Sequence, residues 1–235
     1  MPKLVITDEF LKNIIFEVAP LVSQATSWDL KLPSLQVRAL PKDQVYEEIL
    51  LGRLRHTGIS GWEELMPDFL ERMLEYMIEG NALAAYMPGD GEILVIRENV
   101  DDSNLDGLKL ILAHELTHRA QHMAHGDLFD RLDRLMWQAF TLIQSPENNL
   151  QPIQQIFAQI QPVMTVLESH AAYVQGVIKQ KYLPHAQVEK HFNLATLLLR
   201  LIGAPKVAQY TDGLPQVAGA VQSGSLDALF TQLDG

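Results

Sequence analysis

His114-Glu115-Leu116-Thr117-His118 sets three ionisable groups inside an apolar run, and that conflict restricts what the chain can become. Leu105, Leu108, Leu110, Ile111, Leu112 and Leu116 recur at helical spacing around it. Asp101-Asp102-Ser103-Asn104 offers N-cap candidates, Ser103 with Asp106 approximates a capping pair, and Gly126 is a natural stop. The three aspartates at 101, 102 and 106 also suit the positive end of the helix dipole. Histidine and glutamate buried unpaired in so apolar a helix would be costly. Residues four apart share a helix face, about 6 Å apart along the axis, so two imidazoles at this spacing converge on one cation. A bound metal resolves the conflict, and Glu115 between the histidines is placed to act on a water as a general base. The bland alternative is an exposed turn with solvated His and Glu. Random placement yields only about 0.02 such motifs in a chain of this composition.

A catalytic zinc site uses three protein ligands and keeps a fourth position for water. His122 lies about 12 Å of helical rise from His114, too far to share a metal. A third histidine in H-E-x-x-H-x-x-G-x-x-H would need Gly at 121 and His at 124, where the chain has Gln121 and Ala124. His122 and His125 are therefore expected at the surface or supporting other groups. The remaining source is Leu167-Glu168-Ser169-His170-Ala171-Ala172-Tyr173-Val174, in an apolar helical pattern following Pro162. Glu168 is the expected third ligand, with His170 the next choice. His170 otherwise supports a ligand by hydrogen bonding. The small residues at 169, 171 and 172 predict a close helix–helix approach.

Together these segments resemble the gluzincin metallopeptidases, in which H-E-x-x-H is completed by a glutamate on a later helix. Glu168–Tyr173 is similar to the E-G-x-A-x-Y signature around that glutamate. The chain more closely resembles a family of zincin-like hydrolases that pair H-E-L-T-H with a downstream E-G-H-A-E-Y-V-type segment. These match His114–His118 and Glu168–Val174. That family's later K-x-x-Q-Y-x-x-G stretch is matched by Lys206-Val207-Ala208-Gln209-Tyr210-Thr211-Asp212-Gly213. The resemblance spans about residues 80 to 235 and departs at Ser169 (usually glycine) and Ala172 (usually acidic). It implies a zincin-like fold, a Zn2+ cofactor and hydrolase chemistry. It also makes Tyr210 the candidate to stabilise a developing oxyanion, with Tyr173 and His170 as alternatives that support the ligands or meet substrate.

The expected fold class is α+β and mostly helical, with a small sheet, the active-site helix and a helical C-terminal lobe. A chain of 235 residues suits a single domain: an upper α+β lobe over 1–100, and the active-site helix with a helical lower lobe over 101–235. Helices are expected near 8–23, 42–56 and 67–79; Ser60 with Glu63 signals a cap before the third, and Pro67 and Gly80 suit its first position and its stop. Leu35–Leu40 reads as a strand. Ala82–Met87 and Glu92–Arg97 read as a hairpin about Pro88-Gly89-Asp90-Gly91. Glu92–Val100 then feeds the active-site helix, either as an edge strand open to an extended peptide or as an ordinary covered strand. A helix is expected at about 127–143, and breaks near Pro146, Pro184, Gly203–Pro205 and Gly213–Pro215.

The net charge of −11 sits almost wholly in the first half: residues 1–117 hold 10 Lys/Arg against 20 Asp/Glu, residues 118–235 hold 8 against 9. No basic patch with interleaved aromatics appears, so nucleic-acid partners are not expected. No apolar run reaches the ~18 residues of a membrane span. The lack of a signal-peptide pattern and of cysteine predicts a cytoplasmic protein. The reaction expected is metal-assisted hydrolysis of a peptide or protein, with zinc on His114, His118 and Glu168 and Glu115 as base. The competing class is a catalytically silent protein of the same fold serving binding or structure, against which the retention of Glu115 argues.

Overall fold

Helix α1 (Asp8–Thr26) is capped by Thr7, whose hydroxyl accepts from the Phe10 N–H at 3.2 Å, with Asp8 and Glu9 in the electropositive first turn. Leu11, Ile14, Ile15, Val18, Ala19 and Val22 recur at helical spacing and form its buried face. The computed structural model describes residues 5–46, 83–143, 150–187 and 209–234. Strand β1 (Gln36–Leu40) follows, then helix α2 (Lys42–Tyr46). The remainder of the helix expected over 42–56, and the helix expected over 67–79 with its Ser60, Glu63, Pro67 and Gly80 signals, lie outside the described residues.

Strands β2 (Ala84–Met87) and β3 (Glu92–Ile96) form the expected antiparallel hairpin. Gly91 supplies the left-handed backbone (φ 62°) that its turn requires. The sheet runs β1-β3-β2, with β1 parallel to β3. Of the two readings of Glu92–Val100, the covered one is correct: β3 is the central strand, paired on both sides, and β2 is an edge among the described residues. The side chains of β3 alternate between two cores. Ile93 and Val95 join α1 in one apolar cluster, while Leu94 and Ile96 join the C-terminal helices in the other.

Helix α3 (Leu105–Ala124) carries the H-E-x-x-H segment and is buried on nearly every side, packed by α1, β2 and a long later helix. Of its four N-cap candidates Asn104 is the cap, and the Ser103–Asp106 pair is not formed. Asp101 engages the Ser103 N–H and hydroxyl in a local turn at 2.9 and 2.6 Å, so Asn104 caps instead, accepting from the Gly107 N–H at 2.9 Å. Gly126 opens helix α4 (Gly126–Ile143), as the expected 127–143 helix.

Helix α5 (Leu150–Tyr182) does not wait for Pro162; it runs through it. Ile153, Ile156, Phe157 and Ile160 before the proline, and Val163, Val166 and Leu167 after it, bury in one cluster. That packing outweighs the hydrogen bond the proline removes. The helix ends just before Pro184, as expected. Helix α6 (Gln209–Ser223) likewise runs through Gly213 and Pro215, where a break is expected; α7 (Leu226–Asp234) follows. The breaks expected at Pro146 and at Gly203–Pro205 lie outside the described residues. The described chain is thus mostly helical around a small mixed sheet, and none of its described helices is long and apolar enough to cross a membrane.

Candidate metal centre

Helix α3 brings His114 and His118 onto one face, and α5 packs against that face with Glu168. His114 Nε2 lies 3.2 Å from His118 Nε2 and 3.3 Å from Glu168 Oε2, and His118 Nε2 lies 3.6 Å from Glu168 Oε1. Donors at 2.0–2.1 Å from a tetrahedral zinc lie about 3.3 Å from one another. The separations, with Glu168 meeting each histidine through a different oxygen, are close to that spacing, and two imidazoles with one carboxylate form a donor set suited to a divalent metal such as Zn2+. Glu168 and His114 are buried, and His118 is nearly so. Burial works against a charged His114 imidazole, but the Glu168 carboxylate, helped by Glu115, more than offsets it and raises its pKa.

Close approach of the later helices is built into the sequence. Ser169 is fully buried, and a Cβ on Gly213 of α6 would lie 2.2 Å from its hydroxyl oxygen. Small side chains on both helices let α6 sit directly against the turn that carries Glu168.

Glu115 lies beside the cluster but points elsewhere. Its Oε2 accepts from the Tyr86 backbone N–H of edge strand β2 at 2.7 Å. The Tyr86 hydroxyl accepts from Arg119 at 3.0 Å and meets His122 Nδ1 at 2.8 Å. Burial raises the Tyr86 pKa, with Arg119 opposing it. Arg119 is itself buried and donates to the Leu30 carbonyl at 3.1 Å and to the Ser34 hydroxyl at 2.7 Å. It therefore clamps α3 to the segment entering β1. Sequence reading missed this role because the partners lie up to 89 residues away.

Gln121, noted in the sequence only as a residue that is not glycine, is fully buried and central to the site's hydrogen bonding. Its Nε2 donates to the Leu167 carbonyl at 2.9 Å and lies 3.1 Å from His170 Nδ1, while its Oε1 meets His118 Nδ1 at 2.8 Å. A fully polar side chain three residues after His118 on a buried helix was the available signal.

His170 stands outside the three-residue cluster, so among the described residues Glu168 is the one that completes it. The His170 ring packs edge-on to Trp28 and Phe230. Burial, then the nearby His118 and His125, pushes its pKa down to about 3, so it is neutral. Tyr173 is half-buried and touches both apolar clusters. His122 is half-buried against Tyr86, and His125 stacks on Phe230; neither joins the cluster. Residue 210 falls in the first turn of α6, one turn before Gly213, and its side chain lies outside what the structure describes. No protein-family model, curated protein or solved structure matches the chain.

Proposed function

We propose that this chain is a zinc-dependent hydrolase of gluzincin type, cleaving amide bonds in peptides or proteins. The observation that carries this reading is the mutual spacing of His114 Nε2, His118 Nε2 and the Glu168 carboxylate, at 3.2 to 3.6 Å, with Glu115 adjacent. Zinc, when bound, supplies Lewis acidity that polarises a carbonyl and acidifies water. The rest is assigned to the chain's own groups. His114, His118 and Glu168 hold the ion. Glu115, one oxygen committed to the Tyr86 N–H, uses its other to take a proton from the attacking water and hand it to the leaving amine. Tyr210 is assigned to the developing oxyanion, with Tyr173 and His170 as the other donors close to Glu168 in sequence. A peptide substrate follows from the analogy with gluzincins. A site meant only for structure gains nothing from a base beside its ligands and closes its fourth position with protein.

The test is a metal analysis of the purified chain, followed by cleavage of a peptide library by wild type and Glu115→Gln. Stoichiometric zinc in both and cleavage by wild type alone is the expected result. Zinc in both with no cleavage by either returns the chain to the non-catalytic class, and full activity in Glu115→Gln removes the base.

A further inference from the structure

We infer that Gln121 is a positioning residue which, through one buried amide, sets where the imidazole protons of both His118 and His170 reside. The inference rests on the zinc-site reading above and adds a residue to it. The Leu167 carbonyl can only accept. The amide nitrogen of Gln121 must therefore face it, at 2.9 Å, and the amide oxygen must face the other way. That oxygen lies 2.8 Å from His118 Nδ1 and can only accept in turn, so Nδ1 carries the proton. His118 Nε2 is left with a bare lone pair, and it is this atom that sits 3.2 Å from His114 Nε2 and 3.6 Å from Glu168 Oε1. The second hydrogen of the amide nitrogen meets His170 Nδ1 at 3.1 Å, which must accept, so the ring proton of His170 is on Nε2. Flipping the amide would set oxygen against the Leu167 carbonyl and force both imidazoles into the other tautomer. Because Gln121 is fully buried, no water replaces it. Leu167 immediately precedes Glu168, so the same amide ties the ligand pair of α3 to the turn that brings the third ligand.

Two substitutions separate this role from packing. Gln121→Met keeps length and apolar bulk but neither donates nor accepts as the amide does. Gln121→Glu still accepts from His118 Nδ1, but it no longer donates to His170 or to the Leu167 carbonyl. The full-length chain is measured by long-range proton–nitrogen NMR of its imidazoles without metal, and by zinc competition against a chromophoric chelator. The wild type is expected to show His118 protonated on Nδ1 and His170 on Nε2. Gln121→Met should lose the His118 preference and bind zinc about 10–100-fold more weakly. Gln121→Glu should keep the His118 tautomer that Gln121→Met loses, while the His170 proton moves to Nδ1. An unchanged His118 tautomer or unchanged zinc affinity in Gln121→Met overturns the inference. A wild type that fails to bind zinc overturns the metal-site reading instead, and the tautomer pattern of the metal-free chain still decides the role of Gln121.

Discussion

The backbone N–H of Tyr86 donates to Oε2 of Glu115 at 2.7 Å, so an edge strand holds the carboxylate that neighbours the His–His–Glu cluster. The bond uses main chain rather than side chain, and only proline removes it without moving the strand. The Tyr86 N–H points away from β3, so proline there costs no ladder hydrogen bond. Tyr86→Pro is expected to leave zinc affinity within a few-fold and to lower kcat by about 100-fold, the effect of a misplaced catalytic group. Tyr86→Phe keeps the N–H and serves as control for the lost hydroxyl. Equal kcat in the proline and phenylalanine variants would show that Glu115 does not depend on this bond.

Glu168 is the one member of the cluster that is not on α3, and it closes the site only because α5 packs there. Removing it should weaken zinc binding by more than the ~10–100-fold that loss of an outer hydrogen-bond partner costs. Zinc at 100 times its Kd is expected to stabilise the wild type by about 2.7 kcal/mol. Thermal melts with zinc and with chelator should therefore separate for wild type and coincide for Glu168→Ala at the same zinc concentration. A preserved zinc-dependent shift in Glu168→Ala would move the third ligand elsewhere.

The parts of this site that were legible in the sequence are those written into one helix or one apolar pattern. His114, Glu115 and His118 share a turn, and Glu168 stands out as a carboxylate on a buried helical face. Other features depend on contacts that spacing does not encode. Proline removes a helical hydrogen bond, so a break is expected at Gly213–Pro215 and a helical pattern only after Pro162, yet both helices continue and the apolar stripe crosses Pro162 in a shared core. The central place of β3 depends on β1, which pairs with it from more than fifty residues earlier. Asn104 displaced Ser103 as cap because Asp101 had already engaged the serine. Gln121 and Arg119 take their roles from carbonyls of other elements, Leu167 and Leu30.

Gly213 and Ser169 form the tightest approach between α6 and α5. An added Cβ would meet the Ser169 hydroxyl oxygen at 2.2 Å, the Thr165 methyl at 2.8 Å and the Thr165 carbonyl at 3.0 Å. Gly213→Ala must push the helices apart or twist Ser169, at a cost of about 1–3 kcal/mol. Removing the hydroxyl clears the worst clash, so adding Ser169→Ala should recover part of the loss, with non-additivity of about 0.5–3 kcal/mol in a double-mutant cycle. Zinc affinity should fall in Gly213→Ala and recover with stability, because Ser169 follows Glu168 directly. Strict additivity in urea unfolding would mean that the two residues do not meet.

His122 offers a pH signature away from the cluster. Burial, then the Arg119 guanidinium, lowers its pKa below the ordinary 6.5, with Asp130 and Asp133 pulling the other way. Its Nδ1 faces the Tyr86 hydroxyl at 2.8 Å, and Arg119 donates to that oxygen, so the hydroxyl hydrogen is free to point at the imidazole. The folded chain thus holds His122 neutral at a pH where the unfolded chain protonates it. Between the folded and ordinary values the unfolded state binds more protons, so this contribution to stability is full above pH 6.5 and is lost as pH falls below it. An NMR titration should give His122 a midpoint below 6.5. Asp130→Asn or Asp133→Asn should lower it further, since each removes a charge that favours the imidazolium, and Tyr86→Phe should shift it as the hydroxyl contact is lost. A midpoint at or above 6.5, or a rise on removing either aspartate, contradicts the arrangement of charges around this histidine.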